Sequence, residues 1–483
     1  MHVGGAPEDT ICAIATPIGE GGIGVVRISG TGALSVAEQC VRLRSRQPLT
    51  VVPSHSFHLA DILAPPIAPG SHPSDSTNAR LSDQIIDEGL VVFMKGPRSF
   101  TAEDVVEIHC HGNGVVLGRV CEACIAAGAR LAQPGEFTKR AFLNGRLDLS
   151  QAEAVLDTIT AKSEAALKMA QRHLRGELGQ QVDRLRVCLL GMLAHLEAAI
   201  DFTEEDISFI GRDEVIASLE RALDEVHAML STAERGRVLR EGARVVIIGP
   251  PNVGKSSLLN ALLREERAIV TNIPGTTRDL IEETVVWDGF SIALVDTAGL
   301  RETSDVVEQE GVRRARVAQD HADLVLHVCD ATVVREGGGH EIVPSAGGGQ
   351  HIVVINKTDL LDRPTLDHLV EVARDFTSCR VLPISVRTGE GLEELQRVIK
   401  LSVSSGSLES GEGVGVTKVR HRLALERAGA SLREALDATI RGIDPVFVVV
   451  DLRGAADSLG EITGAITSDE VLERIFSEFC IGK

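Results

Sequence analysis

Apolar positions follow three successive rhythms along the chain. Over residues 1–145, short β-type runs such as Ile23–Ile28 and Val105–Ile108 alternate with helical stretches, which predicts an α+β domain. Within it Pro65–Ser76, rich in Pro, Ser and Gly, reads as a loop. Residues 146–240 carry apolar side chains at helical spacing with no Pro and almost no Gly-Pro punctuation, so a helical segment is expected. Ser150-Gln151-Ala152-Glu153 reads as its capping box, in which a Ser oxygen and a Glu carboxylate satisfy amide groups at the helix start.

Residues 241–400 change the pattern again. The apolar runs Val245–Ile248, Ile292–Val295, Leu324–Cys329, Ile352–Ile355 and Val381–Ile384 are separated by helical stretches, the signature of a mainly parallel sheet covered on both faces. Gly337–Gly339 and Gly347–Gly349 bracket a surface insertion, and Ser402–Gly415 reads as a linker. In residues 401–483, Thr417–Arg441 and Ser458–Phe479 look helical, and Val446–Val450 reads as a short strand. Helices on both sides of an α/β unit predict one all-α domain built from two chain segments, with the α/β unit inserted into it.

Composition narrows the functional classes. The 483 residues suffice for about three domains. A net charge of −20, from 49 Lys and Arg against 69 Asp and Glu, opposes nucleic acid and anionic membrane over the surface as a whole, so any RNA contact must be local. Aromatics are only 3% of the chain, which argues against rows of stacking side chains for single strands. No apolar run approaches the ~20 residues of a membrane span, and Met1–Gly5 lacks the order of a signal peptide. Nine irregularly spaced Cys fit no disulfide framework, and a cytoplasmic location is expected.

The inserted unit carries the chemistry. Gly249-Pro-Pro-Asn252-Val253-Gly254-Lys255-Ser256-Ser257 follows a predicted strand and opens a predicted helix, the setting of a phosphate-binding loop. There backbone amides turn towards phosphate oxygens, Lys255 reaches the outer phosphates and the Ser256 hydroxyl ligates Mg²⁺. Asp296-Thr297-Ala298-Gly299 ends a strand where a carboxylate can hold a Mg²⁺-bound water and the Gly amide can sense a γ-phosphate. Asn356-Lys357-Thr358-Asp359 ends another, and the Asp carboxylate can accept two N–H groups from the guanine edge, a pair adenine lacks. Ser385-Val386-Arg387 can complete the base pocket. Thr271-Asn272-Ile273-Pro274-Gly275-Thr276-Thr277 is a hydroxyl-rich loop in which Thr277 can ligate the metal while the γ-phosphate is present. Each piece alone is an ordinary strand-end turn; all of them in order describe a Ras-like P-loop GTPase.

One position departs from the common plan. The residue after Asp296–Gly299 is Leu300, where many switch GTPases carry a Gln that orients the attacking water. Glu308, in the acidic stretch Glu302–Glu310, is the candidate to assist hydrolysis, with a solvated carboxylate at a helix start as the plain alternative. Arg301 reads as a salt-bridge partner rather than an arginine finger. Asn252 has either of two roles, a loop-stabilising hydrogen bond or a ligand to a hard monovalent cation that supplies the missing positive charge.

The ends of the chain add a resemblance. The terminal Phe479-Cys480-Ile481-Gly482-Lys483, the segment from Arg98 to His109 and the inserted GTPase unit together resemble the MnmE (TrmE) family of tRNA-modification GTPases, from Thr10-Ile11-Cys12-Ala13 to the last residue. The resemblance implies an N-terminal folate-binding and dimerisation domain over 1–145, a helical domain over 146–240 and 401–483, and a G domain over 241–400. By matching motifs, Arg27, Glu107, Arg146 and Lys483 would contact a 5-formyl-tetrahydrofolate-type cofactor. Arg146 stands where relatives often carry Lys, so charge is kept while a planar fork replaces a point charge. Asn252, Thr271, Ile273 and Thr276 would supply K⁺ ligands, Ser256 and Thr277 Mg²⁺ ligands, and Glu308 would orient the water. The implied assembly is a homodimer that joins the FAD- and NADH-using MnmG in a heterotetramer or larger complex. That complex would build a carboxymethylaminomethyl or aminomethyl group on C5 of the wobble uridine of certain tRNAs.

Several features admit plainer readings. Cys121-Glu-Ala-Cys124, with His109, Cys110 and His111 nearby, has metal-like spacing but sits in an apolar helical run and reads as buried core thiols. Cys480, near the cationic Lys483, is a candidate catalytic thiol, with a structural tail as its rival. Asp201–Asp206 reads as a solvated acidic turn. The basic clusters Arg235–Arg240, Arg313–Arg316 and Lys418–Arg422 fit RNA phosphates and exposed helix faces equally well. Two other functions compete: a ribosome-assembly GTPase without modification chemistry, and a folate-dependent methyltransferase with an accessory G domain.

Overall fold

The structure, a computed structural model, describes residues 9–64, 85–201, 211–264, 281–287, 290–296, 319–333, 350–403 and 415–483. The loop expected at Pro65–Ser76, the Gly-rich insertion and most of the linker lie outside them. Two compact units are present, one formed by Met1–Leu156, Leu174–Arg186 and Leu459–Lys483, the other by Asp157–His173 and Val187–Ser458.

The first unit is built on seven strands: β1 (Ile11–Ile14), β2 (Gly21–Ser29), β3 (Val41–Leu43), β4 (Phe57–Leu63), β5 (Ile85–Met94), β6 (Val105–Gly112) and the short β7 (Arg130–Leu131). Their order is β3-β4-β5-β6-β2-β1-β7, antiparallel except between β1 and β7. Helices α1 (Ala33–Cys40) and α2 (Gly114–Ala126) cover one face, where Cys12, Val26, Ile28, Ile108, Leu117 and Val120 form the core. Because side chains alternate along a strand, Arg27 points to the opposite face from Val26 and Ile28. The register extends that face across the sheet, pairing Ala13 with Arg27, Arg27 with Glu107, Glu107 with Val92 and Val92 with Phe57.

After α3 (Glu136–Leu143) come α4 (Leu149–Thr160), α5 (Glu164–Leu174), α6 (Glu177–Asp201), α7 (Arg212–Ser231) and α8 (Ala233–Glu241). The capping box that opens α4 lies two residues earlier than the sequence pattern suggests. Asp148 Oδ1 accepts the Gln151 amide at 2.8 Å, and Gln151 Oε1 accepts the Asp148 amide at 2.9 Å. Asp148 takes the cap through this reciprocal pair with Gln151; Ser150 is left inside the first turn, donating to Asp148 Oδ1 at 2.6 Å.

The second unit contains a six-stranded sheet formed by β8 (Ala243–Ile248), β9 (Ile281–Trp287), β10 (Phe290–Asp296), β11 (Leu324–Asp330), β12 (Gln350–Asn356) and β13 (Arg380–Pro383). Its order is β13-β12-β11-β8-β10-β9, and only β9 runs antiparallel to its neighbour. Apolar clusters on both faces explain the continuous apolar runs in its strands. Helices α9 (Lys255–Arg264), α10 (Arg363–Phe376) and α11 (Leu392–Val403) belong to this α/β unit. Where the chain re-enters the helical part, Gly415 and Val416 pass so close to α8 that a Cβ on Gly236 would lie 2.1 Å from the Val416 carbonyl. Beyond it, α12 (Val419–Arg441) packs along α7, joining helical segments from before and after the insertion.

The C-terminal helices correct two expectations. Val446–Val450 is no strand; it lies in α13 (Pro445–Thr463). Val448, Leu452 and Ala455 are buried and Val446, Phe447 and Val450 exposed, so packing at helical period overrides the β preference of a valine-rich run. The stretch Ser458–Phe479 is not one helix either. It breaks after Thr463 at Gly464, whose φ is +82°, and resumes as α14 (Asp469–Ser477), capped by the Ser468 hydroxyl.

Candidate functional sites

In the second unit the chain leaves β8 to build α9 and β10 on one side and then places β11 on the other. The Gly249–Gly254 loop therefore emerges at the topological switch point of the sheet, at the C-terminal ends of its parallel strands. Gly249 (φ +146°) lies so close to β11 that a Cβ would sit 2.2 Å from the Val328 carbonyl oxygen. Gly254 (φ +101°) has the same restriction, 2.4 Å from Asn356 Nδ2. Only glycine lets the loop curl this tightly. Lys255 Nζ donates to the carbonyls of Gly249 at 2.8 Å and Pro250 at 2.7 Å, spanning the cradle that a polyphosphate would fill. Ser256 and Ser257 follow in the first turn of α9, where amides and the helix dipole favour an anion. The backbone of Asp296, in register with Ile247, ends β10 on the same edge of the sheet.

The segment Asn356–Asp359 is tied to this loop. Buried Asn356 donates from Nδ2 to the Val253 carbonyl at 2.8 Å, and its Oδ1 accepts the Val386 amide at 3.1 Å. Lys357 Nζ donates to the Asn252 carbonyl at 2.8 Å. Asp359 accepts Ser385 Oγ at 2.6 Å on one oxygen and pairs with Arg387 at 2.7 Å on the other. The Ser385 hydrogen bond, with Arg387 adding, holds the Asp359 carboxyl below the ordinary carboxylate value, so it is an acceptor at neutral pH. Thr271–Thr277, Thr297–Gly299, Leu300, Arg301 and Glu308 lie outside the described residues, as does the cluster Arg313–Arg316.

In the first unit the structure brings Arg27, Glu107, Arg146 and Lys483 to one place. Arg27 Nε donates to Glu107 Oε1 at 2.8 Å, and His109 Nε2 lies 3.3 Å from the other oxygen. His109 and Arg27 together lower the Glu107 pKa against the opposing effect of burial. The Arg27 guanidinium lies over the rings of Phe100 and Phe137, at 5.3 and 5.6 Å, and that of Arg146 over Phe100 at 5.2 Å. Burial, with Arg27 adding, pulls the Lys483 ammonium below its ordinary pKa, opposed by Glu107 and Cys480. Two guanidinium groups over the Phe100 ring, with a carboxylate and the Lys483 ammonium close to Arg27, can take a flat, partly apolar ligand with an anionic tail.

The tail reaches this place through glycine geometry. Gly482 (φ +97°) runs against β1 so closely that a Cβ would meet the Ile14 carbonyl oxygen at 2.1 Å, and a Cβ on Gly135 (φ +66°) would meet the Phe476 carbonyl oxygen at 2.6 Å. The Phe137 amide donates to the Lys483 carbonyl oxygen at 3.2 Å, and Phe476 and Phe479 pack with Leu149, Ala152 and Leu472. Beneath lies an ion network that the sequence reading missed. Arg140, 1% exposed, pairs with Asp9 at 2.7 Å, Glu136 at 3.1 Å and Glu103 at 3.3 Å. Only the Glu136–Arg140 spacing of four could have hinted at it. His109 and the two Phe rings were equally unassigned.

The remaining candidates find plain places. Cys121 and Cys124 are buried core thiols on α2, and all nine cysteines are free; Cys480 is exposed. Among the described residues no group of His, Cys, Asp or Glu has the geometry of a metal site, and no helix is long and apolar enough to cross a membrane. Two basic clusters are partly committed to ion pairs: Arg237 with Glu234 and Asp323, and Arg240 and Lys418 with Asp157 at 3.0 Å each.

Comparison with known families covers almost the whole chain. Residues 10–146 match the model of the GTP-binding protein TrmE N-terminus, and residues 149–480 match that of the MnmE helical domain. The tRNA modification GTPase MnmE of Heliobacterium modesticaldum is 46% identical over 98% of this chain and 99% of its own length. The protein of the same name from Symbiobacterium thermophilum is 46% identical over 99% of this chain and all of its own. That from Moorella thermoacetica is 44% identical over the same shares.

Proposed function

The chain belongs to the MnmE family of tRNA modification GTPases, and from that premise we propose that it hydrolyses GTP to drive modification of C5 of the tRNA wobble uridine. The observation that carries the GTPase half is the glycine cradle at Gly249–Gly254 bonded directly to the base-reading residues Asn356 and Lys357. Amides of Asn252–Ser257 and the Lys255 ammonium would hold the phosphates. Asp359 would read the guanine edge, flanked by Ser385, Val386 and Arg387. Thr271–Thr277 and Asp296–Gly299 would sense the γ-phosphate, and Glu308 would orient the attacking water in place of the Gln that Leu300 replaces.

Mg²⁺ held by Ser256 and Thr277 would neutralise phosphate charge. K⁺ held by Asn252, Thr271, Ile273 and Thr276 would add the positive charge an arginine finger supplies elsewhere. In the first unit Arg27, Arg146 and Lys483 offer cations to the carboxylates of a 5-formyl-tetrahydrofolate-type cofactor, and Glu107 offers an acceptor to its ring. That cofactor would supply the one-carbon unit. Exposed Cys480, beside Lys483, is our candidate for a thiol acting on the uridine or an intermediate.

We place the protein in the cytoplasm as a homodimer working with an FAD- and NADH-dependent MnmG. With a charge of −20 and Arg237, Arg240 and Lys418 already in ion pairs, the chain alone should bind tRNA weakly, with a shallow salt dependence. Mass spectrometry of tRNA nucleosides from a deletion strain tests the whole reading: normal wobble uridines would leave the ribosome-assembly role in possession. Hydrolysis equally fast in Na⁺ and K⁺ would remove the cation, and product formed without GTP would favour the methyltransferase.

A further inference from the structure

Asp330 is the last residue of β11, on the strand that borders the phosphate loop, and none of the GTPase motifs contains it. Its side chain is 11% exposed. One oxygen, Oδ1, accepts the Thr332 amide at 2.9 Å and the Thr332 hydroxyl at 2.7 Å. The other, Oδ2, accepts Lys357 Nζ at 2.6 Å. The same ammonium donates to the Asn252 carbonyl. A single Lys thus bridges a fixed carboxylate on β11, the base-reading segment that carries it and the phosphate loop.

Both residues joined by that ammonium hold unusual backbone. Asn252 has φ +62° and Lys357 has φ +67°, a region that costs a non-glycine residue about 1 kcal/mol or more unless its surroundings hold it there. The Lys357–Asn252 bond links the two strained points, and Asp330 fixes the direction from which the ammonium arrives. Burial alone would raise the Asp330 carboxyl; the hydrogen bonds from Lys357 and Thr332 outweigh it and keep the group ionised.

We propose that Asp330 is a positioning residue for nucleotide binding, clamping Lys357 onto the Asn252 carbonyl so that the base pocket and the phosphate loop form as one preorganised site. The proposal deepens the GTPase reading and rests on it. Because the clamp acts on parts of the site that contact bound nucleotide before and after hydrolysis alike, its loss weakens GTP and GDP equally, raising KM more than it lowers kcat.

The test is release of fluorescent N-methylanthraniloyl GDP and GTP from the full chain, with steady-state hydrolysis and thermal unfolding alongside. Asp330→Asn keeps the shape and removes the charge. It is expected to speed release of both nucleotides about tenfold and to raise KM by a similar factor, the usual cost of losing a hydrogen bond to a charged group. Lys357→Met should match it, and the double variant should be no worse than either single one. Should Asp330→Asn fail to fold, Thr332→Val, which loosens Asp330 without touching its charge, should speed release by a smaller factor, about threefold. Unchanged release in the folded Asp330 variant, unchanged release in Thr332→Val, or fully additive effects in the double variant would overturn the proposal. Asp359→Asn separates it from the reading beneath: Asn can donate to the 2-oxo group of xanthine, so preference should move from guanine to xanthine nucleotides. If that shift occurs while Asp330→Asn does nothing, the clamp alone falls; if it does not occur, the base pocket falls and the clamp with it.

Discussion

The two sites are assembled from the chain in opposite ways. The nucleotide site uses short consecutive segments, each at the end of a parallel strand, and its geometry is set largely by backbone: two glycines at positive φ and an Asn side chain bonded to a loop carbonyl. The tail-docked site uses single side chains from Arg27, Glu107, Arg146 and Lys483, spread over nearly the whole chain, and its geometry is set by sheet register and a docked C-terminus. A site made of strand-end turns tolerates change around it but not within it. A site made of scattered side chains depends on everything that holds the scatter together.

That contrast breaks most visibly at Arg140. Replacing it with Met leaves Glu103 without its cation, and Glu136 and Asp9 with Arg130 alone. Loss of a buried partner should cost about 3 kcal/mol, discounted for the exposure of Asp9, in the first unit's stability. Calorimetry should show that loss together with weakened folate binding, while affinity for fluorescent GTP stays within about twofold. A fall in GTP affinity instead would mean the two sites are not independently built.

Gly254→Ala is the converse experiment. With φ at +101° and a Cβ 2.4 Å from Asn356 Nδ2, the loop must move or lose that bond, and nucleotide affinity should drop about a hundredfold with folate binding intact. Gly482→Ala addresses the tail by the same physics. The added Cβ meets the Ile14 carbonyl oxygen, so Lys483 should leave its place and folate affinity should fall about tenfold, read by equilibrium dialysis. Unaltered folate affinity in that variant would detach the terminal residues from the site.

The smallest expected effect sharpens the electrostatics. Glu107 has a folded pKa below its ordinary 4.5, so its ion pair contributes stability that is fully present above that value and is lost as pH falls through the lowered one. Arg27→Met should reduce the acid sensitivity of the first unit, seen as a smaller difference between denaturation midpoints at neutral pH and at about pH 3. An unchanged difference would assign the acid sensitivity to the His109 contact with Glu107 or to Asp9 and Glu136, whose pKa values are lowered too.

Much of the fold was legible because its signals are local. Each strand of the parallel sheet that the sequence suggested is present, since a strand buried on both faces must be apolar throughout. The antiparallel β9 escaped because its run, Ile281–Trp287, is broken by Glu282 and Glu283. Val446–Val450 misled because five β-favouring residues mean little once packing imposes a helical period. The capping box was read two residues late because Ser-x-x-Glu and Asp-x-x-Gln overlap there, and only the hydrogen bonds decide between them.

The same division separates what this sequence decides alone from what the tertiary structure decides. Phosphate loop, base-reading segment and their order follow from residue types at fixed short spacing, because a backbone turn and its hydrogen bonds involve neighbours in sequence. That Arg27 faces Glu107, that Lys483 comes to both, that Arg237 and Lys418 meet carboxylates, and that Asp330 holds Lys357 were decided only by folding. Those contacts join positions whose separation along the chain carries no periodic signal, and sheet register and helix docking alone bring them within reach.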